Sequence, residues 1–157
     1  KGIRDDSTWA RAQAWAIVGY ALMYRWTGER EFLDVARRTA DWWLVHAPAD
    51  HVAFWDFDDP AIPDTERDTS ATAIVAASLL KLAALEPDRD RAARYRSAAE
   101  ATARALVERH LDERGILGDG CYNRRLGLAT RNELIWGSYY LFEALSVLSG
   151  RLEPARI

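Results

Sequence analysis

Apolar residues recur along this chain at helical spacing, and two kinds of helix alternate. Residues 9–26, 68–85 and 132–149 are apolar almost all round, whereas 29–46 and 88–111 each carry an apolar stripe opposite a charged face. In the second segment Phe32, Leu33, Ala36, Ala40, Trp43 and Leu44 form the stripe, opposite Glu31, Asp34, Arg38 and Asp41. In the fourth, Ala92, Tyr95, Ala99, Ala103, Leu106 and Val107 oppose Arg91, Arg94, Glu100, Arg104 and Glu108. The boundaries carry matching punctuation. Asp6-Ser7-Thr8, Asp68-Thr69-Ser70 and Asn132 offer side-chain oxygens to the free amides of helix starts, and Pro87-Asp88 introduces the fourth helix. Gly28 suits a left-handed C-cap, Pro48 ends the second helix, and Ser149-Gly150 ends the fifth. Strand signals are nearly absent, so the expected class is all-α.

A helix apolar on every side must be buried on every side, which makes the odd helices inner and the even ones outer. The inner-helix caps recur at roughly 62 to 64 residues, a unit longer than tetratricopeptide, ankyrin or HEAT repeats. Repeated hairpins with inner and outer layers follow the logic of a solenoid or a closed α/α toroid. The long loops, 49–67 and 112–131, both precede inner helices, so they fall on one rim, where function is expected. The chain holds about two and a half such hairpins, while closing six would take about 370 residues. It is therefore expected to be part of a ring, with apolar inner faces exposed and self-association through them. Its start at Lys1, without Met or a signal-type segment, points the same way.

Composition narrows the function classes. With 49% hydrophobic and 29% charged residues the chain is a foldable mixture, and a net charge of -3 argues against nucleic-acid binding by bulk charge. A single cysteine, Cys121, excludes an intramolecular disulfide framework and any cysteine-based zinc site, and reads as inert. The three histidines, His46, His51 and His110, have no metal-ligand spacing, and neither a GxSxG elbow nor a glycine-rich phosphate loop occurs. The longest apolar run, residues 14–24, is about 11 residues against the ~18 of a membrane span.

Candidate chemistry gathers at the inner-helix starts. Arg11 and Trp15 stand at i and i+4 and share one face, one turn into the first helix. Such a pair could grip a carboxylate bidentately and stack a sugar ring, or it could be a core indole beside a tethered ion-pair partner. Trp9 and Gln13 repeat the spacing more weakly, and Asp5 and Asp6 read most simply as caps. The loop Phe54-Trp55-Asp56-Phe57-Asp58-Asp59-Pro60 alternates aromatics with carboxylates. Acid–base work or a cation site are open to it, but the commoner reading is a rim plug whose Asp residues cap turns. Arg67-Asp68 reads as a cap with an ion pair. Trp136, Tyr139 and Tyr140 lie on adjoining helical faces beside Gly137, which allows close approach of a ligand or of a neighbouring helix. Asn123, Arg124 and Arg125 could meet a sulfate, although such exposed clusters are usually only solvated.

Three segments in order, DDSTWARAQAW, FWDFDDPAIPDTERDTSATAIVAASLL and RNELIWGSYYLFEAL, resemble the C-terminal half of glycoside hydrolase family 88, the unsaturated glucuronyl hydrolases. The resemblance runs from about Gly2 to Gly150. It implies a partial (α/α)6 toroid, with residues 1–157 forming the C-terminal portion of one catalytic domain. It also implies an enzyme acting on lyase-generated oligosaccharides that carry a 4,5-unsaturated uronic acid at the non-reducing end. In that family an Asp protonates C4 and water adds at C5; the resulting hemiketal opens and a keto acid is released. Neither a metal nor an organic cofactor is implied, and no nucleic acid or membrane partner. A cytoplasmic location is the family-like expectation.

By the same resemblance Arg11 and Trp15 match the substrate-binding Arg and Trp of the family's W-x-R-G-x-x-W helix, with Trp9 and Gln13 alongside. Tyr139 matches a pocket wall in the W-G-D-Y segment. Two positions depart from the pattern. Ala12 replaces a Gly, adding a methyl group to helix packing, and Ser138 replaces an Asp. The family's catalytic Asp residues lie upstream of the matched half, so the catalytic residue is unknown and the chain by itself is expected to be inactive. Two other readings stay open: a related unsaturated rhamnogalacturonyl hydrolase, and a non-catalytic helical repeat binding carbohydrate or protein. Apolar first and last helices disfavour the latter, since terminal repeats need polar outer faces.

Overall fold

The computed structural model describes residues 2–154 and contains five α-helices among them: α1 (Ala10–Thr27), α2 (Arg30–His46), α3 (Thr69–Leu85), α4 (Arg89–His110) and α5 (Ile135–Leu148). A single 3-10 turn, Arg124–Leu126, interrupts the last long loop. The layering follows the hydrophobic pattern. α3 is central, with α1 on one side, α5 on the other and α4 behind, while α2 backs α1. Every residue of α3 from Thr69 to Leu82 is buried. Its alanines and serines let neighbouring helices come close. Gly137 does the same from α5: a Cβ there would stand 3.0 Å from the Ser70 Cβ. The glycine thus serves helix–helix approach.

Two of the three inner helices lack the caps their sequences suggest. Asp68 does cap α3, accepting from the amides of Ser70 and Ala71, and Asp88 caps α4 from the amides of Asp90 and Arg91. The N-cap of α1 is Trp9, without a side-chain bond. Asp6 pairs instead with Arg4 at 3.2 Å, and the Ser7 hydroxyl donates to Asp56. At α5 the N-cap is Leu134, while Asn132 forms an antiparallel bridge with Gly120. The reason is tertiary. The rim segments pair with one another through isolated bridges, Trp9 with Asp56, Phe54 with Arg67 and Asn123 with Leu128. Helix-start amides therefore find loop carbonyls, as Ala10 does at Trp55, 3.1 Å away.

The aromatic–carboxylate loop is a rim plug. Trp55 is buried and donates from Nε1 to Asp59 at 2.6 Å; Phe57 meets Trp42 and Trp43 edge-on, each at 5.0 Å. Asp56 is buried and accepts from the Ile3 and Asp58 amides and from Ser7. Arg67 lies over Phe54 at 3.9 Å and pairs with Asp50 at 2.9 Å. One feature escaped the apolar pattern: Lys81 of α3 and Glu143 of α5, both buried, form an ion pair between inner helices.

Outer helices are tied in by charge. Arg37 of α2 grips Glu86, just past the end of α3, with two bonds of 2.7 and 2.5 Å. Burial pushes the Glu86 carboxyl up, but Arg37 and the Asp88 amide outweigh it and hold it below the usual range. The ionised pair therefore stabilises the fold above the ordinary carboxylate pKa, and that contribution is lost as pH falls through the lowered value. Arg37→Met should cost about 3–5 kcal/mol in urea unfolding near neutral pH, because Glu86 is left buried and unpaired. The deficit should shrink on acidification; a constant deficit would show that the pair is not its source.

Both ends of the inner row present apolar side chains to solvent: Trp15, Tyr20, Met23 and Trp26 on α1, and Ile135, Tyr139 and Phe142 on α5. Sedimentation velocity on the 157-residue chain should show association that grows with concentration. A monomer at every concentration would count against these faces as contact surfaces.

Candidate functional site at the inner-helix rim

The starts of α1, α3 and α5 meet beneath the rim loops and enclose a cleft of about 310 Å³ lined by Trp9, Arg11, Trp15, Tyr122, Asn123 and Trp136. Arg11 is its cation. The side chain is held from below, with the residue only 3% exposed. Nη2 donates to the carbonyls of Cys121 and Tyr122 at 2.7 and 2.8 Å, and Nε faces Asp68 Oδ2 at 3.4 Å. Three rings surround the guanidinium, whose carbon lies 5.0 Å from the Trp9 ring, 5.3 Å from Trp136 and 6.0 Å from Tyr122. Cation–π attraction fixes the charge among them.

This geometry decides between the two readings of Arg11 by combining them. It is the tethered ion-pair partner, and it also lines the cleft. Nη2 is taken up by the two carbonyls and Nε faces the Asp68 charge without a hydrogen bond, so among the described residues Nη1 has no hydrogen-bond acceptor. A bidentate grip on a carboxylate is not available; a single hydrogen bond is. Trp15 is 39% exposed and stands edge-on to Tyr140 at 5.5 Å, so an indole face remains for a ligand. Trp136 is oriented by a bond from its Nε1 to the Ser70 hydroxyl at 3.0 Å.

Not every expected residue reaches the cleft. Gln13 is half-buried beside it and Tyr139, 56% exposed, packs edge-on to Tyr140 at 5.0 Å; neither is among the lining residues. Ala12 is exposed, so its methyl group faces solvent and does not tighten helix packing. The Ser138 hydroxyl donates locally to Glu133. In the basic loop Asn123 alone lines the cleft, its side chain accepting from the Leu126 amide, while Arg124 pairs with Glu66. Tyr122 is the residue sequence reasoning missed. An aromatic beside glycines in a rim loop was the available signal, but nothing in the spacing aimed it at Arg11.

Electrostatically the cleft is one cation in an aromatic box, and its lining contains no carboxylate. Asp68 is nearest and wholly buried behind Arg11. Burial raises its carboxyl, opposed by Arg11 and by hydrogen bonds from Ser70, Ala71 and Cys121. Asp5, Asp56 and Asp68 are not among the residues that line this cleft. Burial together with Asp68 and Glu66 pushes the Cys121 thiol up to about 12. Iodoacetamide at pH 8 should leave native Cys121 unmodified and alkylate it after unfolding, read by mass spectrometry. Rapid native labelling would overturn its inertness.

No protein-family model matches the chain. It is 38% identical over 154 residues to the unsaturated glucuronyl hydrolase of Bacillus sp. (strain GL1), covering 92% of this chain and 40% of that protein. The unsaturated chondroitin disaccharide hydrolase of Streptococcus pneumoniae is 34% identical, over 92% of this chain and 38% of its own length. The chain thus spans about 40% of the curated relatives it matches. The crystal structure of the Bacillus sp. GL1 enzyme superposes with a TM-score of 0.88 at 39% identity, covering 94% of this chain and 41% of that one. A mutant unsaturated glucuronyl hydrolase from Streptococcus agalactiae, complexed with dGlcA-GalNAc6S, gives 0.84 at 31% identity, covering 92% and 40%.

Proposed function

We propose that this chain, a member of the unsaturated glucuronyl hydrolases by sequence and by its α/α toroid fold, is the C-terminal portion of their catalytic domain and forms the substrate-binding wall. The whole protein would act in the cytoplasm on lyase-generated oligosaccharides ending in a 4,5-unsaturated uronic acid. One observation carries the reading: a single buried cation, Arg11, framed by indole and phenol rings at the rim of the inner helices. Apolar sugar faces stack on such rings, and one guanidinium nitrogen fits the uronate carboxylate or an adjacent hydroxyl.

The reaction is hydration of an enol ether. A carboxylic acid gives its proton to C4, water supplies hydroxide equivalent to C5 and returns a proton to the base, and a hemiketal results. The hemiketal opens by breaking the ring C5–O5 bond, which makes C5 a ketone and leaves a hemiacetal at C1; its collapse breaks the C1–O bond, and the leaving sugar departs as an alcohol from the keto acid. Arg11 and Trp15 bind and orient; the proton donor belongs to the remainder of the protein.

Loss of the ultraviolet absorbance of the conjugated enol ether, in lyase-generated disaccharides, tests the reading. The whole protein should bleach it, and the 157-residue chain should not. Trp15→Ala in the whole protein should raise KM about tenfold, or ~1.4 kcal/mol, with kcat nearly unchanged. Turnover by the chain alone would overturn the absence of the catalytic acid, and an inactive whole protein would overturn the assignment.

A further inference from the structure

The N-terminus of α3 holds more than a helix cap. Oδ1 of Asp68 accepts from the Ser70 amide at 3.1 Å, the Ser70 hydroxyl at 2.5 Å, and the amides of Ala71 and Cys121, each at 3.3 Å. That oxygen alone performs the capping, and asparagine caps a helix as well as aspartate does. Oδ2 is different. It is completely buried and, among the described residues, accepts no hydrogen bond and faces only Arg11 Nε. A second buried oxygen with no hydrogen bond costs free energy. What an aspartate supplies here and an asparagine cannot is negative charge against the guanidinium.

Two walls of the cleft depend on this one carboxylate. Arg11 is drawn down onto Oδ2 while Cys121 and Tyr122 hold Nη2, so the guanidinium is pinned along its Nε–Nη2 edge and Nη1 is left without a hydrogen bond among the described residues. Ser70, whose hydroxyl proton goes to Oδ1, is left with lone pairs that receive the Trp136 indole N–H. The direction of each bond is dictated by Asp68, because an ionised carboxylate accepts only. Cys121, whose amide also ends on Oδ1, carries the rim loop that places Tyr122. We propose that Asp68 is a positioning residue for substrate binding: it never touches the ligand, but orients Arg11 directly and Trp136 through Ser70. The inference rests on the function proposed above.

The test uses the whole protein and the same absorbance assay, with active-site concentration normalised by folded fraction. Asp68→Asn keeps an N-cap and removes the charge; it should raise KM at least tenfold while kcat stays within about threefold. In an Arg11→Gln background the same change should add no more than twofold, since the lost charge acts on Arg11 while the asparagine oxygen keeps the Ser70 bond that orients Trp136. A purely structural role would lower the folded fraction and leave KM alone, and that result overturns the proposal. Ser70→Ala retains both charges and the cap, so it decides the matter if Asp68→Asn fails to fold. It should shift the Trp136 indole N–H resonance, assigned through Trp136→Phe, and raise KM severalfold; an unmoved resonance or unchanged KM overturns the proposal. Inactivity of the wild-type protein toward unsaturated disaccharides would instead strike the proposed function.

Discussion

The buried carboxylate of Asp68 is the constraint from which the rest of the rim follows. Removing a charge from water is expensive, and a protein retains it only where several donors converge. Here they converge from three directions: Arg11 from α1, the first turn of α3 itself, and the Cys121 amide from the loop ahead of α5. The inner helices are thereby locked at one end by a single group. The first turn of α3 adds further ties at that end: Thr69 donates from its hydroxyl to the Gly118 carbonyl, and Ser70 accepts from the Trp136 indole.

Farther down, the same inner row is held by packing and by one more buried pair, Lys81 with Glu143. The outer row is joined by more exposed charges. Asp41 of α2 meets Arg91, Arg94 and Tyr95 of α4, whereas Arg37 of α2 ties the outer row to the inner one through the buried Glu86. This division suits the two layers. Inner helices meet small residues at close range, where only desolvated pairs fit, while outer helices meet at a solvated seam where long arginines span the gap.

The cleft inherits its character from this framework. Aromatic side chains project from helix starts that are rigidly positioned, so stacking surfaces exist before a ligand arrives, which lowers the ordering cost of binding. Binding elements and proton donor need not share one segment of chain. The carboxylates of the rim loop are consumed in holding loops together, as Asp56 and Asp59 show.

The sequence by itself determined the helices, their alternation of inner and outer faces, and the rim at which the long loops gather. Those features are periodic, and periodicity in hydrophobicity is a local signal with a direct physical cause. It also singled out Arg11 and Trp15, whose i, i+4 spacing puts them on one face of any helix, and Trp9, which lies at the N-cap and lines the same cleft. Tertiary structure alone decided where hydrogen bonds go. Asp6 and Asn132 look like caps but serve other contacts: Asp6 pairs with Arg4, Asn132 bridges to Gly120, and the first amide of α1 finds the Trp55 carbonyl of a distant loop. Tyr122 and Trp136 became partners of Arg11, and Gln13 and Tyr139 did not, because three helix starts and a loop had to converge first. Asp68 shows the boundary within one residue: its capping oxygen was legible from Asp-Thr-Ser, and its second oxygen acquired meaning only when α1 packed against α3.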